Sequence, residues 1–504
     1  MHEARFAPPH IAWRWLLALA ALRLLLHMVV NGQYGFHRDE LQLWVDAQRL
    51  DWGYVAYPPL TALLGRFGIE LLGDSTTGLR MFAALAQAIA MLVAGLIARE
   101  LGGQRMAQLV AALAVACTPV SMLQGSMLMY VGVEYLWVIV AVWMLLRVAN
   151  GGDARWWLGV GLAIGLGMMT RYTMLFWAVG LAAGVVFTPL RQHLASPWLW
   201  AGVALSLLVF APNAWWQWRH EFVYLDFVEH IHARDVRIGR TDGFLVGQLL
   251  TGASPLIAPL WLAGLAWLVL SKAAARWRAL AWMYSLPLLL FLLAQARDYY
   301  MAPGYPMLLA AGAVALEAGI ARLRPIAAHW SRAALAFVLL AACASTALVA
   351  LPIAPINSAG WRISRSFHDN FAEQVGWPEL TAQVAQVYHA LPAGERARTA
   401  IFANNYGEAG AIDRYGPAHG LPPAISTINS YWYRGYGALA PQTVIVLGDD
   451  AEGVSDTPAT CTLAGRVRIP HDVENEESGH PEIFVCRDFR VPTHTLWPPG
   501  PSFG

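Results

Sequence analysis

Charged residues are scarce in this chain of 504 residues, and this scarcity narrows the class of protein. Only 13% of the residues are Asp, Glu, Lys or Arg, whereas about 25% are charged in an ordinary soluble domain. The formal net charge is +1, and the sequence lacks the basic run or stripe that marks a nucleic-acid-binding protein. Because 57% of the residues are hydrophobic, the composition predicts a membrane protein.

Long apolar runs recur along the chain and stop near Leu351. Their lengths are close to the ~20 residues that a helix needs to cross the hydrocarbon core of a bilayer. They predict a membrane domain over residues 1–351, followed by a tail of soluble composition over residues 352–504. The eleven predicted spans are 11–31, 77–98, 106–123, 131–148, 156–170, 173–189, 198–215, 244–270, 279–295, 303–320 and 333–351.

Positively charged residues between the predicted spans fall in alternate loops, and short loops with such charges stay in the cytoplasm. This rule places the N-terminus in the cytoplasm. It places the first loop, residues 32–76, and the tail from Pro352 on the outer side. The residues that carry the argument are Arg99, Arg105, Arg147, Arg155, Arg191, Lys272, Arg276, Arg278, Arg322, Arg324 and Arg332.

The chain has four cysteines, and their spacing to histidines matches no metal motif. Cys117 and Cys343 lie within predicted spans, where a free cysteine behaves as a small hydrophobe. Cys461 and Cys486 lie in the tail, where oxidising conditions outside the cytoplasm permit a disulfide. We therefore expect one disulfide, between Cys461 and Cys486.

The first outer loop carries two adjacent carboxylates, Asp39 and Glu40, directly after the first predicted span. From Asp39 to Leu50 apolar residues recur at helical spacing, which predicts an amphipathic helix at the membrane surface. A Tyr-Pro-Pro sequence then fixes an extended turn that returns the chain to the membrane at Leu60. Residues 60–73 are apolar but too short to span, so a second juxtamembrane helix is expected.

The residues around Asp39 leave two interpretations open. Asp39 followed by Gln42 has the spacing of a capping box, in which the Asp oxygen accepts a hydrogen bond from the first turn of the helix. Alternatively, a carboxylate held against apolar surface has a raised pKa, which suits a general base.

Six short motifs follow one another along the chain in a recognisable order. They are Phe36-His37-Arg38-Asp39-Glu40, Trp52-Gly53-Tyr54, Pro58-Pro59-Leu60, Thr170-Arg171-Tyr172, Asp298-Tyr299-Tyr300 and the segment from Asn405 to Asp413. This set resembles bacterial glycosyltransferase family 39 of the GT-C superfamily, which is related to protein O-mannosyltransferases and lipid A aminoarabinose transferases. The resemblance covers nearly the whole chain.

The resemblance implies a multi-pass, all-α membrane domain of the GT-C type in a bacterial inner membrane, with the tail in the periplasm or outside the cell. It implies the inverting transfer of a sugar from a polyprenyl-phosphate donor to an envelope acceptor, which is a protein, a lipopolysaccharide or other glycan, or a lipid. In that family the Asp of the first-loop pair is the catalytic base, here Asp39, and Glu40 would support it. The lipid carries the activated sugar, so no cofactor is required, and no motif indicates a divalent metal.

Two arginines at the predicted outer ends of spans are candidates for binding the donor phosphate. Arg171 with Tyr172 lies between the fifth and sixth spans, and Arg297 precedes Asp298-Tyr299-Tyr300. The planar guanidinium fork suits a phosphate group. Alternatively, Arg297 pairs with the aspartate that follows it, or either side chain extends to water.

Glu134 lies near the start of the fourth span, at the same predicted face. It either helps to hold the acceptor or a divalent ion, or is a helix-start carboxylate favoured by the helix dipole. Arg23 and His27, within the first span, are expected to be structural partners of such buried acids. Near the seventh span we expect an interfacial aromatic belt and solvated histidines without metal spacing, namely Trp215, Trp216 and Trp218, and His220, His230 and His232.

The pattern of the tail predicts a small α/β domain. A helix over 377–391 and a strand over 399–404 precede a helix that runs through Ile412; further strands are expected at 424–428, 443–448, 460–469 and 482–487. Ligands bind outside the carboxyl ends of strands in open α/β sheets, which makes Asn404, Asn405 and Glu408 candidate acceptor contacts. Residues 430–434 are a candidate for stacking on a sugar. Loop packing and docking onto the membrane domain are the alternative for both sets.

A transporter or flippase for lipid-linked sugars is the alternative function. A carrier predicts internal repeats and broken helices with polar groups at mid-membrane, whereas the sequence has no twofold repeat and its notable polar groups lie at one face. A non-catalytic membrane anchor is the third hypothesis. An anchor gives little reason for four charged residues to lie at the same depth in the membrane, so the transferase is favoured. These residues are Asp39, Glu134, Arg171 and Arg297.

Overall fold

The computed structural model describes residue 6, residues 8–436 and residues 441–504. In the part described, six helices are long and apolar enough to cross a membrane, or seven if the bent pair Met174–Val186 and Pro189–Ala195 forms one span. The six are Trp13–Val30, Thr76–Glu100, Tyr130–Ala149, Pro197–Arg219, Asp298–Ile320 and Pro325–Ala350. The chain is therefore a multi-pass membrane protein.

Helices form most of the chain before Leu351, as its apolar composition predicts. They are α1 (Trp13–Val30), α2 (Arg38–Gln48), α3 (Leu60–Leu72), α4 (Thr76–Glu100), α5 (Arg105–Ala116), α6 (Pro119–Gln124), α7 (Tyr130–Ala149), α8 (Trp156–Met168), α9 (Met174–Val186), α10 (Pro197–Arg219), α11 (Val223–Arg237), α12 (Phe244–Gly247), α13 (Ala258–Leu270), α14 (Ala279–Leu293), α15 (Tyr305–Ile320) and α16 (Pro325–Ala350).

Each predicted span coincides with one or more of these helices, but several helices are shorter than a bilayer crossing requires. Helices α8, α9 and α13 have 13 residues each, and α14 has 15. The multi-pass helical architecture is confirmed, whereas eleven crossings stay a prediction. Both juxtamembrane helices expected in the first outer loop are present as α2 and α3.

Glycines allow two pairs of membrane helices to pack with their backbones in contact. A Cβ on Gly161 of α8 would lie 2.0 Å from the carbonyl oxygen of Gly202 in α10, and a Cβ on Gly312 of α15 would lie 1.9 Å from the carbonyl oxygen of Leu260 in α13. Membrane helices associate through such small-residue contacts.

Replacing Gly312 by Leu is expected to destabilise the protein, because the side chain would force α13 and α15 apart. Overpacking of this kind costs about 1–3 kcal/mol, occasionally more. A lowered thermal midpoint of the detergent-solubilised protein is the expected result. Gly319→Leu is the matched control on the same helix, since a Cβ there meets nothing within 4 Å. Equal midpoints for the two variants would contradict this packing argument.

The tail forms a five-stranded sheet with helices, which confirms the predicted small sheet domain. The strand order is β2-β1-β3-β5-β4, in which β1 is parallel to β2 and β3, while β5 is antiparallel to β3 and β4. The strands are β1 (Thr399–Ala403), β2 (Ala424–Ile425), β3 (Thr443–Leu447), β4 (Thr460–Arg466) and β5 (Glu482–Arg487). The helices are α17 (Ala359–Arg365), α18 (Trp377–Ala390), α19 (Ala393–Arg396), α20 (Tyr406–Tyr415), α21 (Ala451–Ser455) and α22 (Glu476–Gly479).

The structure contains two disulfides among the described residues, one more than expected. Cys461 and Cys486 face each other in the β4–β5 register and are bonded. Cys117 and Cys343 are also bonded, so the expectation of free thiols there is wrong. The cause is tertiary: α16 passes the end of α5, which brings two residues 226 positions apart to a Cα–Cα distance of 4.4 Å.

The loop over residues 32–76 and the tail share one hydrophobic core. Leu41 of α2 and Ile412 of α20 are fully buried in the same cluster, together with Ile445 of β3. Helices α2 and α20 approach closely because Gly410 has no side chain: a Cβ there would lie 2.7 Å from the Cβ of Leu41. This packing places the start of α20 beside the start of α2, where Asp39 lies.

Candidate active site

Helix α2 begins two residues earlier than the capping-box interpretation of Asp39 requires. His37 is the N-cap, and its Nδ1 accepts a hydrogen bond from the Asp39 N–H at 3.1 Å. Glu40 completes the box by accepting from the His37 N–H at 2.9 Å. Asp39 as the cap is therefore wrong, and its carboxylate is free for other contacts.

Glu40 is fully buried and forms a two-pronged ion pair with Arg80 of α4. The Arg80 Nε donates to Oε1 at 2.8 Å and Nη2 donates to Oε2 at 2.6 Å. The Leu128 N–H also donates to Glu40 Oε1, at 2.8 Å. Each oxygen is therefore paired, and Glu40 acts by locking the N-terminal turn of α2 to the membrane domain.

Asp39 is 31% exposed and is held by the tail. The hydroxyl of Tyr406, at the start of α20, donates to Asp39 Oδ1 at 2.7 Å. Arg38 in turn donates to the Tyr406 oxygen at 2.9 Å, and its Nε lies 3.7 Å from Asp39 Oδ1. Sequence reasoning placed Arg38 and Tyr406 in motifs but gave neither a role, because only the docking of α20 onto α2 brings them together.

The pKa of Asp39 lies below its ordinary value of 3.8. Burial alone would raise this pKa, but electrostatic interactions with His37, Arg38 and Arg297 and the hydrogen bond from Tyr406 lower it by more. These groups stabilise the ionised form. The expectation of a raised pKa is therefore wrong, and Asp39 is a carboxylate at neutral pH that presents a partly exposed acceptor oxygen.

Arg171 and Glu134 are partners of each other. Arg171 Nη1 lies 3.2 Å from Glu134 Oε2, and the Thr173 hydroxyl donates to the other oxygen at 2.5 Å. The guanidinium also packs over the ring of Tyr300, 4.0 Å from its centroid, and 5.3 Å from that of Tyr130. Neither interpretation of Glu134 anticipated this pair, and Arg171 does not extend to water: its exposure is only 7%.

Arg297 pairs with Asp235 of α11 and not with the aspartate that follows it. Its Nε and Nη2 donate to the two oxygens of Asp235 at 2.6 and 2.8 Å, and its Nη1 donates to the Tyr299 hydroxyl at 3.2 Å. The charge of Arg297 also reaches Asp39.

Tyr130 connects the carboxylate with the arginines. Its hydroxyl is within electrostatic range of Asp39, Arg171, Tyr299 and Tyr300. Four of the predicted donor-site residues, Arg171, Arg297, Tyr299 and Tyr300, therefore lie in one cluster with Tyr130 and Asp39. Tyr130, at the first turn of α7, is a further residue of this cluster that sequence reasoning missed, since its position in the sequence carries no signal of its own.

The hydroxyl of Tyr172 makes two hydrogen bonds to residues of α10. It donates to Asn213 Oδ1 at 2.8 Å and accepts from Gln217 Nε2 at 2.9 Å. These two hydrogen bonds hold the turn before α9 close to α10.

The three tail residues predicted to contact the acceptor build the start of α20. Asn405 caps the helix, and Glu408 completes the capping box. Glu408 is 2% exposed and borders the buried carboxyl of Glu477, which together with desolvation raises its pKa well above the usual range. Asn404 donates to the Gly448 carbonyl at 3.2 Å. These contacts orient Tyr406, and acceptor binding by the three residues stays a prediction.

Polar residues of the first span do not pair with acids. Arg23 donates to the carbonyl and hydroxyl oxygens of Ser121, both at 2.8 Å, and His27 lies 3.3 Å from Ser126. The expectation of acidic partners is wrong, because these side chains face the α6 segment. His230 and His232 lie on helix α11 and not in a loop. Among the described residues no group of three or more His, Cys, Asp or Glu could hold a metal ion.

The fold has counterparts among solved membrane-protein structures. The crystal structure of ArnT from Cupriavidus metallidurans bound to undecaprenyl phosphate has the same fold, with a TM-score of 0.60 and 14% identity over 94% of this chain and 98% of ArnT. An oligosaccharyltransferase from Archaeoglobus fulgidus is also similar, with a TM-score of 0.51 and 14% identity over 86% of this chain and 68% of that one.

Sequence comparisons agree with the fold. The family model of dolichyl-phosphate-mannose-protein mannosyltransferases matches residues 56–216. The lipid A galacturonosyltransferase RgtD of Rhizobium johnstonii is 26% identical over 52% of this chain and 55% of RgtD. An undecaprenyl phosphate-α-4-amino-4-deoxy-L-arabinose arabinosyl transferase of Pseudomonas fluorescens is 25% identical over 34% of this chain and 32% of that enzyme.

The chain thus matches about half the length of the first of these relatives and a third of the second. It is related to the lipid A aminoarabinose transferases and the protein mannosyltransferases, and the resemblance inferred from its motifs is confirmed.

Proposed function

We propose that this protein transfers a sugar from a polyprenyl-phosphate donor to a hydroxyl of an envelope acceptor, with inversion at the anomeric carbon. The observation that carries the proposal is the convergence of an ionised, partly exposed carboxylate, Asp39, with Arg171, Arg297 and three tyrosines. A base beside cationic groups is what displacement of a lipid phosphate requires.

In the proposed reaction the acceptor hydroxyl binds to the exposed oxygen of Asp39 and attacks the anomeric carbon. The new glycosidic bond forms as the bond from that carbon to the phosphate oxygen breaks, and the hydroxyl proton passes to Asp39. The Tyr406 hydrogen bond fixes the orientation of the carboxylate. The depressed pKa keeps Asp39 ionised, so it is ready to accept a proton at neutral pH, although it is a weak base.

The leaving polyprenyl phosphate would be bound by Arg171 and Arg297. Each guanidinium is held on one side by a buried carboxylate, Glu134 or Asp235. Pairing fixes the planar forks and leaves their remaining N–H groups for phosphate oxygens. Tyr299 and Tyr300 line the same place and add hydroxyl donors.

The acceptor class follows from the relatives. RgtD is named for lipid A galacturonosyl transfer, and the Pseudomonas enzyme for arabinosyl transfer from undecaprenyl phosphate. Glycan or lipid acceptors of the envelope, lipid A among them, are therefore favoured over protein acceptors. We further propose eleven crossings in a bacterial inner membrane, a cytoplasmic N-terminus, and a periplasmic domain over residues 352–504.

A cysteine at position 39 tests the topology. In whole cells a membrane-impermeant thiol reagent should label Asp39→Cys, because the reacting groups must share a compartment with the tail. Labelling only after the inner membrane is opened would refute the proposed orientation.

Proteoliposomes with a radiolabelled polyprenyl-phosphate sugar test the reaction. A glycosidic product on added lipid A or envelope glycan, together with released polyprenyl phosphate, is the expected result. Movement of the labelled lipid across the bilayer without any product would instead establish the carrier.

The pH profile tests the ionisation of Asp39. Because its folded-state pKa is depressed, the carboxylate stays ionised until the pH falls below 3.8. We expect kcat/KM of transfer to show no fall caused by Asp39 between neutrality and about pH 5. An acid limb above about pH 5 that shifts further upward in Tyr406→Phe would contradict the depressed pKa.

A further inference from the structure

A cavity of about 210 Å³ lies where three distant parts of the chain meet. They are the segment that directly follows α2, the end of α10, and the 3₁₀ helix Asn429–Arg434 of the tail. The Val55 N–H donates to the Ser430 hydroxyl at 3.1 Å and ties loop and tail together there. Clefts for drug-sized ligands measure about 300–1,000 Å³, so this smaller cavity suits a single sugar ring.

Aromatic rings form one wall of the cavity. The indole of Trp216 and the imidazole of His220 are stacked 3.9 Å apart, and Tyr433 stands 5.0 Å from His220 at 87°. Trp216 cannot swing away, because the backbone at Gly53 packs on its ring: a Cβ there would lie 2.6 Å from it. Tyr433 is 40% exposed and keeps a face open. Rigid aromatic faces of this kind pack against the C–H faces of sugar rings.

One of the positively charged side chains at the cavity, Arg434, has a terminal nitrogen without a hydrogen-bond partner among the described residues. Arg434 donates through Nη2 to the buried Asp46 at 2.5 Å, but its Nη1 is buried and has no partner among the described residues. Arg49 lines the cavity and is exposed. The one acid, Asp51, already accepts from the Trp216 Nε1 at 2.9 Å and from the Trp52 N–H at 2.7 Å. The unpaired nitrogen leaves the Arg434 guanidinium with a single ion-pair partner, so its positive charge favours an anion in the adjoining cavity.

We propose that this cavity binds an acidic sugar of the acceptor, with its ring against Tyr433 and its carboxylate or phosphate on Arg434 and Arg49. The cavity is separate from the reacting centre: Asp46, which holds Arg434, lies about 10 Å along α2 from Asp39 at 1.5 Å per residue. A sugar bound here therefore belongs to a larger acceptor whose reacting hydroxyl reaches Asp39. That assignment rests on the proposed function, whereas sugar binding itself does not.

Calorimetric titration of the purified full-length protein with two matched probes tests the proposal. The probes are methyl α-D-galacturonoside, which is anionic, and methyl α-D-galactoside, which is neutral. Wild type should bind the anionic probe about tenfold more tightly. Arg49→Gln should reduce this preference, and Tyr433→Ala should weaken binding of both probes. His220→Ala, a second change in the same wall, should do the same if Tyr433→Ala proves unstable.

Trp215→Ala is the control, since Trp215 lies next to Trp216 on α10 but outside the cavity lining; it should bind both probes as wild type does. Equal affinities of wild type for the two probes, or unchanged binding in both Tyr433→Ala and His220→Ala, would overturn the inference. The titration is repeated with Asp39→Asn, which should bind the anionic probe normally. This titration tests sugar binding in the cavity independently of the transferase proposal. The transferase proposal is tested by the formation of glycosidic product.

Discussion

The variant Asp39→Asn should lose transferase activity by at least about a hundredfold, because general-base catalysis contributes 10²–10⁴-fold. An amide cannot take the acceptor proton, yet it has the same size and can still accept the hydrogen bond from Tyr406. The expected result is therefore a folded protein that no longer forms product.

Mass spectrometry of envelope glycolipids, in a null strain complemented with each variant, gives the cellular measurement. Asp242→Asn is the matched control: it also removes a carboxylate, but from an exposed loop, and should restore the missing glycan. If Asp39→Asn restores that glycan fully at an equal protein level, the assignment of the base is wrong.

The variant Arg80→Ala should cause the largest loss of stability, because it leaves the carboxylate of Glu40 charged, buried and unpaired. Removing one partner of a buried ion pair costs about 3–5 kcal/mol. Both side chains of this pair are 0% exposed. Little folded protein is expected after detergent extraction, with a strongly lowered thermal midpoint in what remains.

Arg66→Ala provides the comparison, since it breaks the exposed Arg66–Glu70 pair on α3. Surface pairs contribute about 0–1 kcal/mol, so this variant should behave almost as wild type. The double variant Glu40→Gln/Arg80→Met removes both charges and should recover part of the stability. A normal midpoint for Arg80→Ala would mean that Glu40 does not hold α2 in place, and Glu40 would then need a role in the chemistry itself.

Much of the fold can be predicted from the sequence because it follows from local composition. Apolar runs identify the membrane helices, helical periodicity identifies α2, and strand-like segments between turns identify the sheet of the tail. The number of crossings is harder to predict, since α9 ends at Val186 and the following helix, Pro189–Ala195, is bent from it by 98°. Hydropathy alone cannot report such a bend.

The residues of the site were largely predictable, but their partners were not. Motifs singled out Asp39, Arg171 and Arg297, and the structure brings these near one another. The pKa of Asp39 is lowered by its sequence neighbours His37 and Arg38 and also by Tyr406, which lies 367 positions away. Arg171 is paired with Glu134 of another helix. Glu40 was predicted to support the base; the structure shows its ion pair with Arg80, and its role in catalysis stays a prediction.

The sequence by itself determined a multi-pass helical membrane protein with a small C-terminal sheet and a pair of carboxylates after its first membrane helix. These properties depend on residue type and spacing along the chain. Only the tertiary structure decided which charges face each other, whether each carboxylate is exposed or buried, and which rings enclose a cavity. The physical reason is that pKa values and ion pairs are set by distances through space, and these arise when α20 packs onto α2.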